Sequence, residues 1–137
     1  MFNKIVNKEI KGVLFKQNIM IEADGNEIEC SVVAYKGKEK IFTVYARDNC
    51  ENELYIVDFK DFSNGRFVNK GIGSIMMSLL IEYAKLHHYN SIVGKLITLD
   101  RDDHKDRLHH FYNKFGFKIE EFKDNSDCFY AKIVKNL

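Results

Sequence analysis

A chain of 137 residues is the size of one domain, and with 45% hydrophobic and 30% charged residues it builds a core rather than a disordered coil. A net charge of +1 without a basic block argues against a nucleic-acid surface, and no apolar run approaches the ~20 residues of a membrane span. Charges interrupt the first nine residues too often for a signal peptide, so a cytoplasmic location is expected, with Cys30, Cys50 and Cys128 as free thiols and no metal set.

The first sixty residues read as strands and turns. Val13 to Ala23 is extended, with Asn18, Met20 and Glu22 on one face and Ile19, Ile21 and Ala23 on the other. Asp24-Gly25-Asn26 is a hairpin signal, because these residues tolerate positive φ. Ile28, Cys30, Val32 and Ala34 alternate with Glu29, Ser31, Val33 and Tyr35 in the next strand, and Lys36-Gly37-Lys38 turns it. Ile41 to Ala46 and Leu54 to Phe59 complete an antiparallel meander. Lys60 to Lys70 is an irregular connection.

The period then becomes helical. Ile72, Ile75, Met76, Leu79, Leu80, Tyr83 and Ala84 form one apolar stripe, predicting a helix from Gly71 to His87 or His88, with Asn90 as a left-handed stop. Ser91 to Leu99 reads as a strand, and Asp100-Arg101-Asp102-Asp103 as a charged loop offering an N-cap. A second helix carries Leu108, Phe111, Tyr112 and Phe115 and ends at Gly116. Phe117 to Phe122 and Cys128 to Val134 are two last strands, turned at residues 123–127. The histidines at 104, 109 and 110 do not share one helical face with a carboxylate or cysteine, and are read as surface groups.

Asn69-Lys70-Gly71-Ile72-Gly73-Ser74 stands where a strand gives way to a long helix. The first N–H groups of a helix have no internal partner, and the helix dipole adds about half a positive charge there. Two glycines let a ligand touch the backbone. Such a segment suits phosphate or diphosphate. It is no dinucleotide fingerprint, since position 76 holds Met76 rather than glycine, and the P-loop spacing is absent. The plainer reading, a glycine turn that merely starts a helix, would prevail if this motif stood alone.

It does not stand alone. The run from Asn69 to Met77 is similar to the acetyl-CoA loop and helix of the GNAT superfamily of N-acetyltransferases, with Gly71 and Gly73 at its two small positions. Phe111-Tyr112-Asn113-Lys114-Phe115-Gly116-Phe117 resembles a second signature of the same family. The likeness covers roughly Leu54 to Ile119. The family's Arg or Gln falls on Val68, with Arg66 near enough to compensate, and its Asn falls on Lys105. The usual helix pair between the first two strands is absent, which implies an open acceptor pocket.

The resemblance implies an α+β fold over a single domain, residues 1–137. Its central sheet would be mostly antiparallel and twisted, of about seven strands, with two main helices in the order β-β-β-β-α-β-α-β-β. It implies acetyl-CoA as co-substrate, without metal, and direct attack by a primary amine of a small-molecule or peptide acceptor. By the same resemblance Tyr112 is the acid that protonates the leaving thiolate. Asp58 is the first-ranked base, ahead of Glu22 and Glu29. A backbone N–H around Asp58 to Lys60 serves the oxyanion, so Phe59 and Lys60 join Val68, Asn69, Lys70, Gly71, Ile72, Gly73, Ser74 and Lys114 as cofactor contacts. The other reading is a binding module of this fold that senses acyl-CoA without catalysis. A homodimer through the C-terminal edge strands is a further expectation.

Overall fold

The computed structural model describes residues 2–9, 18–67, 71–123 and 128–137. Ten elements follow in chain order: β1 (Phe2–Glu9), β2 (Asn18–Gly25), β3 (Glu29–Lys36), β4 (Glu39–Asp48), β5 (Glu53–Asp61), α1 (Ile72–Leu86), β6 (Ser91–Ile97), α2 (Thr98–Lys114), β7 (Lys118–Glu121) and β8 (Phe129–Asn136). They build one eight-stranded sheet in the order β1-β2-β3-β4-β5-β6-β8-β7. Every neighbouring pair is antiparallel except β5 and β6.

The expected α+β architecture, with its meander, two helices and final hairpin, is present. β1 is an additional strand on the outer edge, pairing Phe2–Glu9 with Asn18–Gly25. Its sequence interleaves Asn, Lys and Glu among apolar residues, as edge strands do, and so announces no period of two. The expected strand from Val13 begins at Asn18 in the structure, and residues 13–17 lie outside the described residues. The expected turn at residues 123–127 lies outside them too, except for Lys123.

Alternation decides the core. Ile19, Ile21 and Ala23 on β2, Cys30, Val32 and Ala34 on β3, and Val44 and Ala46 on β4 are fully buried, while Met20, Ser31, Val33, Thr43 and Tyr45 between them are not. α1 lays Ile72, Met76, Leu80 and Tyr83 on the buried side. Each fully buried side chain of this size contributes about 1.5–3 kcal/mol, so packing rather than propensity holds the helix. β6 is buried at four consecutive positions, Ser91 to Gly94, as a strand covered on both faces must be. Burial, with Asp24 nearby, pushes the Cys30 thiol up to about 12, which leaves it a neutral core residue.

Two boundaries move. α1 stops at Leu86, and His88 rather than Asn90 takes the left-handed conformation, at φ 61°. The early stop lets Tyr89 fold back into the core beside Tyr83, with its N–H donating to the Ala84 carbonyl. β6 ends at Ile97 after a register shift against β8, so Asp100 to Asp103 fall inside the first turns of α2 rather than in a loop. No helix among the described residues is long and apolar enough to cross a membrane.

Gly25 marks the tightest approach between sheet and helix. A Cβ there would stand 2.7 Å from the ring of Tyr83, whose hydroxyl donates to the Asn26 carbonyl at 2.6 Å. Gly25→Ala should therefore cost about 1–3 kcal/mol in urea unfolding, since Tyr83 cannot retreat without losing that bond. A loss below about 0.3 kcal/mol would show that α1 does not pack this closely on β2.

Candidate functional site

β5 and β6 run side by side only from Glu53 to Ile56 against Ser91 to Gly94. β5 continues to Asp61 along β4, and β6 to Ile97 along β8, so the two strands part beyond Ile56. A bulge begins the parting. Tyr45 pairs with Asp58 and Ala46 with Ile56, which leaves Val57 unpaired and bends the strand.

A cavity of about 390 Å³ lies where β5, the start of α1 and α2 meet, within the size range of small-molecule sites. Phe42, Phe59, Ile72, Leu108 and Phe111 give it an apolar wall, and Tyr112 adds its ring. Phe59 and Phe111 meet edge to face at 5.7 Å. Arg107, His110, Lys114, Asp61 and Ser74 supply the polar groups.

One end of this cavity is backbone. Gly71 is the N-cap of α1, at φ 82°, and no side chain among the described residues caps the helix. The first intrahelical bond runs from the Ile75 N–H to the Gly71 carbonyl, so the N–H groups of Ile72, Gly73 and Ser74 precede it. Gly71, Ile72, Gly73 and Ser74 all line the cavity. Lys114 reaches across from α2 and donates to the Ser74 hydroxyl at 2.7 Å, its Nζ 5.7 Å from the centre of the Phe111 ring. Helix dipole and ammonium together make this end favourable to an anion. Gly73 also serves packing, since a Cβ there would come within 3.3 Å of the Phe111 ring.

Of the residues expected from the sequence, Gly71, Ile72, Gly73, Ser74, Phe59, Lys114 and Tyr112 come together around the cavity. Val68, Asn69 and Lys70 lie outside the described residues. Asp58 and Lys60 are exposed and do not line it. Their cross-strand partners are Tyr45 and Thr43, on the open face of the sheet, and Lys60 lies over the Phe62 ring. Arg66 is tied to Glu39 at 2.7 Å and to the Ser63 carbonyl. His109 is half-buried rather than a free surface group. Its Nε2 is 3.0 Å from the hydroxyl of buried Tyr130, because its side of α2 packs on β8.

Sequence reasoning passed over Arg107, Asp61 and Phe42. Arg107, His110 and Lys114 follow one another at three and four residues, so a helical reading of polar positions would have found that stripe. Among the described residues no group of three or more His, Cys, Asp or Glu side chains could hold a metal ion.

The comparisons with known proteins agree with this geometry. Residues 64–117 match the family model for the acetyltransferase (GNAT) family. A GNAT-family acetyltransferase of Staphylococcus aureus Mu50 superposes with a TM-score of 0.65 at 16% identity, covering 80% of this chain and 68% of that one. Over residues 64–117 the chain is similar to GNAT acetyltransferases, and it shares their fold. The PaiA N-acetyltransferase of Thermoplasma acidophilum, solved with coenzyme A, shares the GNAT fold at a TM-score of 0.62 and 14% identity, covering 80% of this chain and 62% of that one. The uncharacterized protein YocC of Bacillus subtilis (strain 168) is 35% identical over 86 residues, which are 63% of this chain. The chain spans about half the length of that relative, at 47%.

Gly71 has open space where a Cβ would stand, yet its φ of 82° disfavours any L side chain. Gly71→Ala should therefore lower stability by about 1–2 kcal/mol in denaturant unfolding, from backbone conformation alone. An unchanged midpoint would mean that the start of α1 is not built this way.

Proposed function

We propose that this chain transfers an acetyl group from acetyl-CoA to an amine of a small-molecule or peptide acceptor. The observation that carries the reading is the uncapped start of α1 opening on a cavity beside the parting of β5 and β6, with Tyr112 in its wall. The residues fit the group. Three backbone N–H groups and Lys114 face the place a diphosphate would take, and the apolar wall suits a pantetheine arm. The fold shared with a protein solved with coenzyme A supports the same assignment.

Bound acetyl-CoA would supply the thioester carbonyl and a thiol leaving group. Everything else falls to the chain. The amides of Ile72, Gly73 and Ser74, with Lys114, would bind and orient the diphosphate, as would Val68, Asn69 and Lys70 ahead of them. Phe59 would contact the pantetheine arm, and backbone N–H groups between Asp58 and Lys60 would face the developing negative charge. Tyr112 would give its hydroxyl proton to the departing sulfur. Phenol and thiol differ by about 1.5 pKa units in water, an uphill transfer of only about 2 kcal/mol. Asp58, on the open face of the sheet, would take a proton from the amine on the side from which an acceptor arrives. A cytoplasmic location belongs to the same proposal.

Isothermal titration with coenzyme A should give saturable binding, and a panel of amines should release thiol from acetyl-CoA. Tyr112→Phe should lower kcat by at least about tenfold while leaving coenzyme A affinity within about twofold. Equal rates would remove Tyr112 from the mechanism. Binding without thiol release for every amine would favour a sensing module over an enzyme.

A further inference from the structure

Asp61 closes β5 and lines the cavity, a carboxylate in the wall of an anion site. Both of its oxygens are engaged by the chain that follows. Oδ1 accepts the Ser63 N–H at 2.7 Å and the Ser63 hydroxyl at 2.5 Å, and Oδ2 accepts the Gly65 N–H at 2.9 Å. The turn they fold places Asn64 and Gly65, two residues that tolerate it, in the left-handed region, at φ 54° and 82°.

Further bonds pass the constraint along. The Phe62 N–H donates to the Ile41 carbonyl at 2.8 Å, fixing the start of the turn to β4. Ser63 is fully buried, and its hydroxyl accepts the Phe67 N–H at 3.4 Å. Its carbonyl accepts both the N–H and the Nε of Arg66. Phe67 is 1% exposed, locked in the core four residues before Gly71. The turn therefore fixes the chain as far as Phe67.

We propose that Asp61 is a positioning residue for the anion-binding start of α1. Its carboxylate folds the turn of residues 61–67, and that turn sets where the amides of Ile72, Gly73 and Ser74 stand against the cavity. Three donors on its oxygens also offset the repulsion it would otherwise exert on a bound diphosphate. This inference rests on the coenzyme A reading.

Asparagine separates position from charge. Asp61→Asn keeps an acceptor for Ser63 and removes the charge, whereas Asp61→Ala removes both. Titration with coenzyme A and steady-state kinetics with acetyl-CoA should show Asp61→Ala raising Kd and KM by at least about tenfold, with kcat within about threefold. Asp61→Asn should recover most of the affinity, and Ser63→Ala should weaken binding in the same direction as Asp61→Ala. Equal affinities for the Ala and Asn variants would overturn the proposal, as would a fall in kcat at unchanged Kd. Should Asp61→Ala not fold, Ser63→Ala binding as tightly as the native protein would overturn it. A native protein that binds no coenzyme A would instead remove the reading beneath it.

Discussion

The structure depends on a helix that begins without a cap. A side chain on the first turn of α1 would be worth about 1 kcal/mol, and none is present. Burial of Ile72, Met76, Leu80 and Tyr83 against the sheet exceeds that several times over, so α1 is stable without a side-chain cap among the described residues. The residues that carry its first N–H groups line the cavity. A buried anchor at one end and open amides at the other are two halves of one arrangement.

The second constraint is the parting of β5 and β6. Strands held together along their whole length would leave no room for a ligand between α1 and α2. The bulge at Val57 breaks the pairing, and the space it opens is floored by Phe59 and Phe111. The bulge also rotates the strand by one residue. Ile56 and Phe59 share the core side, and Asp58 and Lys60 turn to the open face. On the proposed reading, acceptor and donor chemistry would be divided between the two faces of one strand.

This one-residue rotation explains where sequence reading succeeded and where it stopped. The meander was legible because alternation in Ile19 to Ala23 and Cys30 to Ala34 is regular. α1 was legible because its stripe is long and apolar, and the glycine motif marked its start. A bulge has no comparable signal, so the faces of Asp58 to Asp61 could not be assigned, and Asp61 was passed over. The role of Arg66 was equally hidden, because its partner Glu39 lies 27 residues earlier. His109 looked like a surface residue because its partner Tyr130 comes from the last strand. In each case the deciding contact is distant in sequence.

The central claim is that the open amides at the start of α1 hold the diphosphate. The most direct test is ¹⁵N-resolved NMR of the labelled protein during titration with coenzyme A. The account predicts that the amide signals of Ile72, Gly73 and Ser74 shift together and saturate along one binding curve. If those three signals stay in place while another region of the protein shifts, the account is wrong.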